Sequence, residues 1–277
     1  MLPLSPEGQS LDAAILMTES VVLLDVDGSV ATITLNRPAS RNAISGELLT
    51  RLGEAMAVVE ADDEILVAIL TGADPAFCAG VDLKELGQGT SVLRGAAAGG
   101  TGPWAPVSKP VIAAVNGAAV TGGLELVLNC DIVICSDRAV FADTHARVGV
   151  LPGWGLSVLL PLAVGRSRAR QMSFTGDFLP AAQALTAGLV SEVVPHADLL
   201  NRAREIAAAI AGNDARAVQA LLASYRQVEA EVVAGGFAVE ERTARAWSRS
   251  GLDLAETGRR RAAVTERGRS QAGQRQP

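Results

Sequence analysis

The segment covering residues 109–131 constrains the fold of this chain more than any other stretch. It starts with a Lys-Pro pair, and the β-branched run 111–115 that follows predicts a short buried strand. An Asn-Gly pair predicts a turn after that strand. A second apolar run begins at Gly122 and Gly123, and it predicts the first turns of a buried helix. The segment therefore indicates a strand, a turn and a helix that pack as one buried unit.

One acidic side chain, Glu125, lies inside the second apolar run. A fully buried carboxylate is costly unless another group offsets its charge. The free amides and the dipole of the first helical turn favour an anion there, and the same amides can instead hold a developing oxyanion on a ligand. An ion pair with an arginine is the structural alternative. A carboxylate beside a Gly-Gly helix start favours a functional site.

This segment resembles the crotonase superfamily, the enoyl-CoA hydratase/isomerase family. The motifs that carry the resemblance occur in order at family-like spacing over approximately residues 30–200. They are ITLNRP at 33–38, FCAGVDL at 77–83, KPVIAAVNG at 109–117, GGLEL at 122–126, CD at 130–131, LPG at 151–153, FTG at 174–176 and AGLV at 187–190.

The resemblance implies an α/β fold, a crotonase-like spiral of ββα turns followed by a C-terminal helical region. We divide the chain into a loosely ordered N-terminus (1–18), a crotonase-like core (19–198), a helical oligomerisation region (199–256) and a disordered tail (257–277). The tail is rich in Arg, Gly and Gln and has little to bury. The resemblance also implies a homo-oligomer, either a trimer or a dimer of trimers.

The composition limits the classes of partner. The chain has 277 residues, of which 49% are hydrophobic, which is enough for a sizeable core. Its net charge of −6 and pI near 5.1 argue against general nucleic-acid binding. Three cysteines without a secretory signal suggest a reducing, cytoplasmic compartment, and their spacing suggests no zinc site. Prolines and glycines interrupt the longest uncharged run, so we expect no membrane span.

By resemblance, the backbone amides of Val81 and Gly122 form an oxyanion hole for a thioester oxygen. Because backbone amides do this work, the valine side chain is compatible with the role. Coenzyme A enters as part of an acyl-CoA thioester substrate, and no separate cofactor is expected. The resemblance assigns substrate and CoA contacts to Arg41, Asn42, Ala43, Ala79, Gly80, Asp82, Leu83, Lys84, Gly123, Pro152 and Gly153. Trp154 stands where the family usually has a small residue, and we expect it to restrict the acyl group if it faces the pocket, with a core tryptophan as the alternative. The pattern-poor segment 87–102 is interpreted as a lid, with a plain linker as the alternative.

The acid–base residues follow from the same resemblance. Glu125 matches the first of two glutamates that flank the substrate double bond, and the second is expected twenty positions later, where the sequence has His145. An imidazole can give or take a proton near neutral pH. We expect Asp143 to orient that ring if the segment is extended. The alternative is that His145 is a structural residue, as a lone histidine more often is, with Arg147 instead pairing with Asp143 or Glu125 and shaping the pocket.

The function hypothesis is that the protein adds water across a 2-enoyl-CoA, with Glu125 and His145 as the catalytic pair. The alternatives are an acyl-CoA-binding protein with little or no catalysis, and an isomerase or thioester hydrolase of the same fold.

Overall fold

A computed structural model describes residues 20–82, 102–249 and 254–273. The predicted loose N-terminus, Leu83, Lys84 and nearly all of the predicted lid lie outside the described residues.

The strands and helices alternate along most of the chain. The strands are β1 (Val22–Asp27), β2 (Val30–Leu35), β3 (Val67–Gly72), β4 (Ala76–Cys78), β5 (Val111–Val115), β6 (Ala118–Val120), β7 (Ile132–Ser136), β8 (Val140–Ala142), β9 (Leu179–Pro180) and β10 (Glu192–Val194). The α-helices are α1 (Gly46–Ala61), α2 (Gly122–Leu128), α3 (His145–Val148), α4 (Leu156–Thr175), α5 (Ala181–Ala187), α6 (Leu199–Ala211), α7 (Ala215–Val232), α8 (Gly236–Arg249) and α9 (Leu254–Gly273).

Two sheets form the core of the fold. The larger has six strands in the order β1-β2-β3-β5-β7-β10, and the smaller has four in the order β4-β6-β8-β9. Only the β1–β2 and β8–β9 pairs are antiparallel among these strands. Successive turns of the chain place one strand in each sheet and then a helix, as in β5-β6-α2 and β7-β8-α3. The predicted spiral of ββα turns is confirmed.

The central strands are buried on both faces, which explains why they read as continuous apolar runs. Alternate residues point to opposite faces of a strand. In β3, Val67 and Ile69 pack with α6, whereas Ala68 and Leu70 belong to the main core between the sheets. Helix α6 therefore closes the outer face of the large sheet, as its apolar stripe requires.

The C-terminal helical region is longer than the sequence suggested. The prediction of a disordered tail from residue 257 is wrong for residues 257–273, which belong to α9. This helix packs on α3, and Thr257 is buried. Ion pairs from Glu256 to Arg259 and Arg260, one helical turn away, stabilise its exposed side. The contact with α3 and these local ion pairs therefore accompany a helix that buries little apolar surface.

No helix in the described ranges combines the length and apolar character that crossing a membrane requires.

Candidate active site

Three parallel strands of the small sheet bring the predicted site residues together. Strands β4, β6 and β8 are neighbours that run in the same direction, so their carboxyl ends lie at one edge. Gly80 follows β4, Thr121 follows β6 and Asp143 follows β8. The carboxyl ends of parallel strands are the usual place for a ligand in α/β proteins.

The backbone at Val81 is fixed by a short parallel bridge to Ile44. Ile44 N donates to Gly80 O at 2.8 Å, and Asp82 N donates to Ile44 O at 2.8 Å. Because hydrogen-bonding groups alternate in direction along an extended chain, the N–H of Val81 points away from Ile44. The Val81 side chain borders Gly122, since a Cβ built at Gly122 lies 3.5 Å from Val81 Cγ2. This arrangement supports the predicted pairing of the two amides.

Close backbone contacts explain the glycines around this site. A Cβ at Gly123 would lie 2.2 Å from the carbonyl oxygen of Cys78, so α2 can start against β4 only with glycine there. A Cβ at Gly80 would lie 2.9 Å from Val120 O, and Gly80 has a φ of +89°. The two segments that carry the predicted oxyanion hole therefore touch backbone to backbone.

Thr121 is a site residue that the sequence analysis did not identify. It precedes the Gly122 amide with φ 56° and ψ −113°, a conformation that a β-branched residue rarely adopts. Its hydroxyl lies 2.6 Å from the hydroxyl of Thr144, the residue before His145. This bond ties the start of α2 to the start of α3. Its sequence signal is weak, because a threonine in an apolar run commonly occurs in a strand.

The Glu125 carboxylate is buried, 3% exposed as a residue, and is held by the loop before α4. Its Oε1 accepts hydrogen bonds from the amides of Gly153 at 3.1 Å and Trp154 at 2.7 Å. Its Oε2 lies 3.4 Å from Nε2 of His145. No arginine forms an ion pair with Glu125 in the part of the chain that the structure describes, where its charged partner is His145.

His145 lies between two carboxylates. Its Nδ1 is 2.6 Å from Asp143 Oδ1, and its backbone N–H donates to the same oxygen at 3.1 Å. The predicted contact with Asp143 is confirmed. The segment is not extended as expected, because His145 begins α3 and the contact spans a turn. The two carboxylates approach opposite ring nitrogens, so they do not converge on one point as metal ligands do.

The environment strongly favours the protonated imidazole. Burial by itself lowers the pKa of His145, but hydrogen bonds and charges from Asp143 and Glu125 outweigh burial and raise the pKa to about 10. Burial likewise raises the pKa of Asp143, but its hydrogen bonds with His145 and Ser173 bring that pKa below the ordinary value. His145 is therefore an imidazolium at neutral pH, with a proton to deliver.

Arg147 does not contribute to this cluster. Its guanidinium lies 4.0 Å from Asp177, so the predicted pairing with Asp143 or Glu125 is wrong. The reason is helical geometry, because Arg147 is two residues after His145 on α3 and points to another face.

Trp154 forms part of the wall beside Gly122. Its ring atom Cζ3 lies 3.6 Å from the position of a Cβ built at Gly122, and the residue is 3% exposed. Its amide donates to Glu125, and its carbonyl accepts from the Asn129 side chain at 2.9 Å. Pro152 is half-buried and Gly153 is exposed in the same loop.

The two segments predicted to contact CoA are adjacent. Ala79 N donates to Arg41 O at 3.0 Å, and the side chains of Arg41 and Ala79 are exposed. The Arg37 guanidinium is 3.0 Å from Asp82 and also donates to Ala43 O, which joins the segments further. The Arg37–Asp82 pair therefore has a structural role. Ala43 is buried beside it.

Asn42 is fully buried, and its side chain is not available to a ligand. Its Nδ2 donates to Ala73 O and Ala76 O at 2.7 Å each, and its Oδ1 accepts from Arg37 N at 2.8 Å. Three backbone groups take up the hydrogen-bonding capacity of this side chain, so the CoA contact predicted for Asn42 falls to its backbone and stays a prediction. Asn42 instead shapes the loop.

We expect Asn42→Ala to lower the free energy of unfolding by about 3 kcal/mol, because Arg37 N, Ala73 O and Ala76 O each lose a buried or part-buried hydrogen bond. Urea unfolding measures this. Arg41→Ala is the matched control: Arg41 has φ 52° and Asn42 has φ 54°, so alanine meets the same backbone strain at both positions. Equal losses in the two variants would contradict the proposed role of the Asn42 hydrogen bonds.

The fold and the site define an α/β protein that holds a buried carboxylate and an imidazole in contact near a buried helix N-terminus. Comparison with known proteins specifies the family. The family model described as enoyl-CoA hydratase/isomerase matches residues 25–251. The chain therefore belongs to the enoyl-CoA hydratase/isomerase family of the crotonase superfamily.

Comparison with individual proteins of known sequence or structure supports this family membership. The chain is 41% identical over 191 residues to a probable peroxisomal enoyl-CoA hydratase of Arabidopsis thaliana, covering 68% of this chain and 71% of the relative. A solved enoyl-CoA hydratase from Mycobacterium smegmatis has 53% identity and a TM-score of 0.77, covering 84% of this chain and 100% of that one. A solved monofunctional enoyl-CoA isomerase from the same organism has 35% identity and a TM-score of 0.64, covering 76% and 93%.

Proposed function

We propose that this protein hydrates 2-enoyl-CoA thioesters, with Glu125 and His145 as the acid–base pair. The observation that carries the proposal is the 3.4 Å contact between Glu125 Oε2 and His145 Nε2 beside the Gly122 amide. A carboxylate and a protonated imidazole at this spacing supply both proton transfers that hydration needs.

The reaction proceeds through an enolate-like intermediate. Glu125 accepts a proton from water, and the water oxygen bonds to the β-carbon. The electron pair of the double bond moves towards the thioester carbonyl, whose oxygen is stabilised by the amides of Val81 and Gly122. His145 then delivers its Nε2 proton to the α-carbon.

The pair returns to its starting state without an external proton. Protonated Glu125 and neutral His145 remain adjacent after the addition, so the proton that came from water passes from Oε2 to Nε2. The imidazolium is then restored, and Asp143 stabilises it through Nδ1. The net change is the addition of one water molecule, with no cofactor besides the CoA moiety of the substrate.

A hydration assay tests the proposal directly. We expect a short 2-enoyl-CoA to lose its enone absorbance with the wild-type protein, and an unreactive saturated acyl-CoA thioether to bind and inhibit. Binding without turnover would contradict the hydratase proposal and favour an acyl-CoA-binding protein. Release of free CoA thiol would instead indicate thioester hydrolysis. Failure to bind any acyl-CoA would overturn both the substrate class and the site.

Isomerisation is the second candidate. A single relay between Glu125 and His145 can remove a proton from one carbon and return it to another, and the enoyl-CoA isomerase neighbour shares the fold. Conversion of a 3-enoyl-CoA to its 2-enoyl isomer without hydration of the product would favour this candidate.

We further propose that the protein is a homo-oligomer, a trimer or a dimer of trimers. One face of α7 exposes an apolar stripe at helical spacing, formed by Leu221, Tyr225, Val228 and Val232. A large apolar face of this kind is typical of subunit contacts. Light scattering that gives a stable monomer mass would contradict this proposal.

A further inference from the structure

The loop before α4 is held by two buried carboxylates. The amides of Gly153 and Trp154 donate to Glu125, as described above. Two further amides donate to Glu240 of α8: Gly155 N to Oε1 at 2.6 Å, and Ser157 N to Oε2. Glu240 is 6% exposed and lies far from Glu125 in the sequence. The end of the loop and the first turn of α4 thus share four amides between the proposed catalytic carboxylate and a carboxylate of the C-terminal region.

Glu240 supplies a cap that the loop cannot provide for itself. The N-cap residue of α4 is Gly155, which has a φ of +89° and no side chain to accept from the first turn. A larger residue does not fit, because a Cβ at Gly155 would lie 2.4 Å from the Phe237 ring. Phe237 and Glu240 are three residues apart and lie on one face of α8. Phe237 leaves no room for a side chain at Gly155, and the Glu240 carboxylate accepts the hydrogen bonds that an N-cap side chain would otherwise accept.

The peptide unit between Trp154 and Gly155 is fixed at both ends. Its carbonyl oxygen accepts from the Asn129 side chain at 2.9 Å, and its N–H donates to Glu240 at 2.6 Å. Asn129 also donates to the carbonyl of Glu125 at 2.8 Å. The Trp154 N–H, which makes the shorter bond to Glu125, belongs to the preceding peptide unit. The two units share the Trp154 Cα, so Asn129 and Glu240 constrain the Trp154 N–H through that atom.

From this geometry we propose that Glu240 is a positioning residue for Glu125. Its carboxylate holds the loop whose amides fix Oε1, and this leaves Oε2 directed at His145. The catalytic part of this inference rests on the proposed function, while the positional part does not. Helix α8 thereby takes part in the site without contacting the substrate.

The test compares Glu240→Gln with Glu241→Gln. Glutamine retains the shape but offers one oxygen, so Gly155 and Ser157 cannot both be satisfied. We expect kcat for hydration to fall about tenfold with little change in KM, because a misplaced carboxylate weakens the chemical step more than binding. Glu241 is an exposed neighbour that pairs with Arg245, and its variant is expected to match the wild type.

A double-mutant cycle separates positioning from general damage. If Glu240 acts through Glu125, Glu240→Gln has no further effect on kcat in a Glu125→Gln background. The same tenfold loss in both backgrounds would overturn the proposal. Glu240→Asp, which keeps the charge on a shorter side chain, gives a milder loss of the same kind and serves if the glutamine variant does not fold.

The imidazole signal of His145 provides a readout independent of turnover. The chain has two histidines, so His145→Ala assigns the NMR signals. Displacement of Glu125 removes one of the two carboxylates that face the ring, so we expect the titration of His145 in Glu240→Gln to move to lower pH. An unchanged titration would limit Glu240 to capping α4. If the wild type does not hydrate enoyl-CoA, the proposed function fails, and this titration still decides the role of Glu240.

Discussion

We expect Glu125→Gln to lower kcat for the proposed hydration by about two to four orders of magnitude, while acyl-CoA binding persists. Glutamine has nearly the same shape, and its amide oxygen can still accept from Gly153 and Trp154. Its other end is an NH2 group that cannot accept a proton from water. The substitution therefore removes the base and leaves the loop and the thioester contacts in place.

The measurement is steady-state hydration of a short 2-enoyl-CoA together with equilibrium binding of an unreactive thioether. Glu54→Gln is a suitable control, because Glu54 is exposed on α1 and pairs with Arg51. A Glu125→Gln variant with wild-type kcat would show that another group activates the water. Loss of binding as well as turnover would indicate that the carboxylate holds the pocket together.

The second large effect concerns the charge on His145. Its pKa is raised from 6.5 to about 10 in the folded protein, so the native state binds this proton more tightly than the unfolded chain. The resulting stabilisation is complete below pH 6.5 and is lost as the pH rises through about 10. If His145 delivers the α-proton, kcat depends on the protonated fraction of His145 and falls with a midpoint near pH 10.

His145→Gln tests both consequences. We expect kcat to fall by about two orders of magnitude and the decline near pH 10 to disappear, because no imidazolium remains. The difference in unfolding free energy between wild type and variant shrinks as the pH rises through this range. His196→Gln is the control, since His196 is the only other histidine. A wild-type pH profile in His145→Gln would assign the proton donor elsewhere.

A gain-of-function variant can test the oxyanion amides and Glu125 independently of the proton donor at position 145. His145→Glu places a carboxylate where the family resemblance expects one. If wild-type turnover is low, hydration by this variant shows that the oxyanion amides and Glu125 are competent. The variant also leaves two buried acidic groups near Asp143, so its stability should be measured alongside its activity.

Much of the fold and part of the site follow from local patterns. The β-branched run of β5 and the paired glycines before α2 predicted the strand and the helix start, because periodicity and backbone freedom are properties of neighbouring residues. The position of Glu125 in the first turn of α2 follows from the same motif. The contact between Asp143 and His145 was also predictable, because the two residues are close in sequence.

Partners that are distant in sequence were not predictable in the same way. The side chain of Asn42 makes its hydrogen bonds with backbone groups, and Arg147 contacts Asp177 and not Asp143 or Glu125. The Asn42 prediction came from the family resemblance and the Arg147 prediction from the neighbouring charges, while the observed contacts depend on which way each side chain points in the folded chain. The α9 helix was not predicted for a related reason, because it packs on α3, which is distant in sequence.

By itself, the sequence determined the order of the ββα turns, the burial of the central strands and the helix start that carries Glu125. Only the tertiary structure decided that His145 lies between two carboxylates and that Glu240 shares the loop that holds Glu125. The reason is physical. Local backbone preferences act between neighbours along the chain, whereas the charge of a buried group depends on every side chain that packing brings within hydrogen-bonding distance.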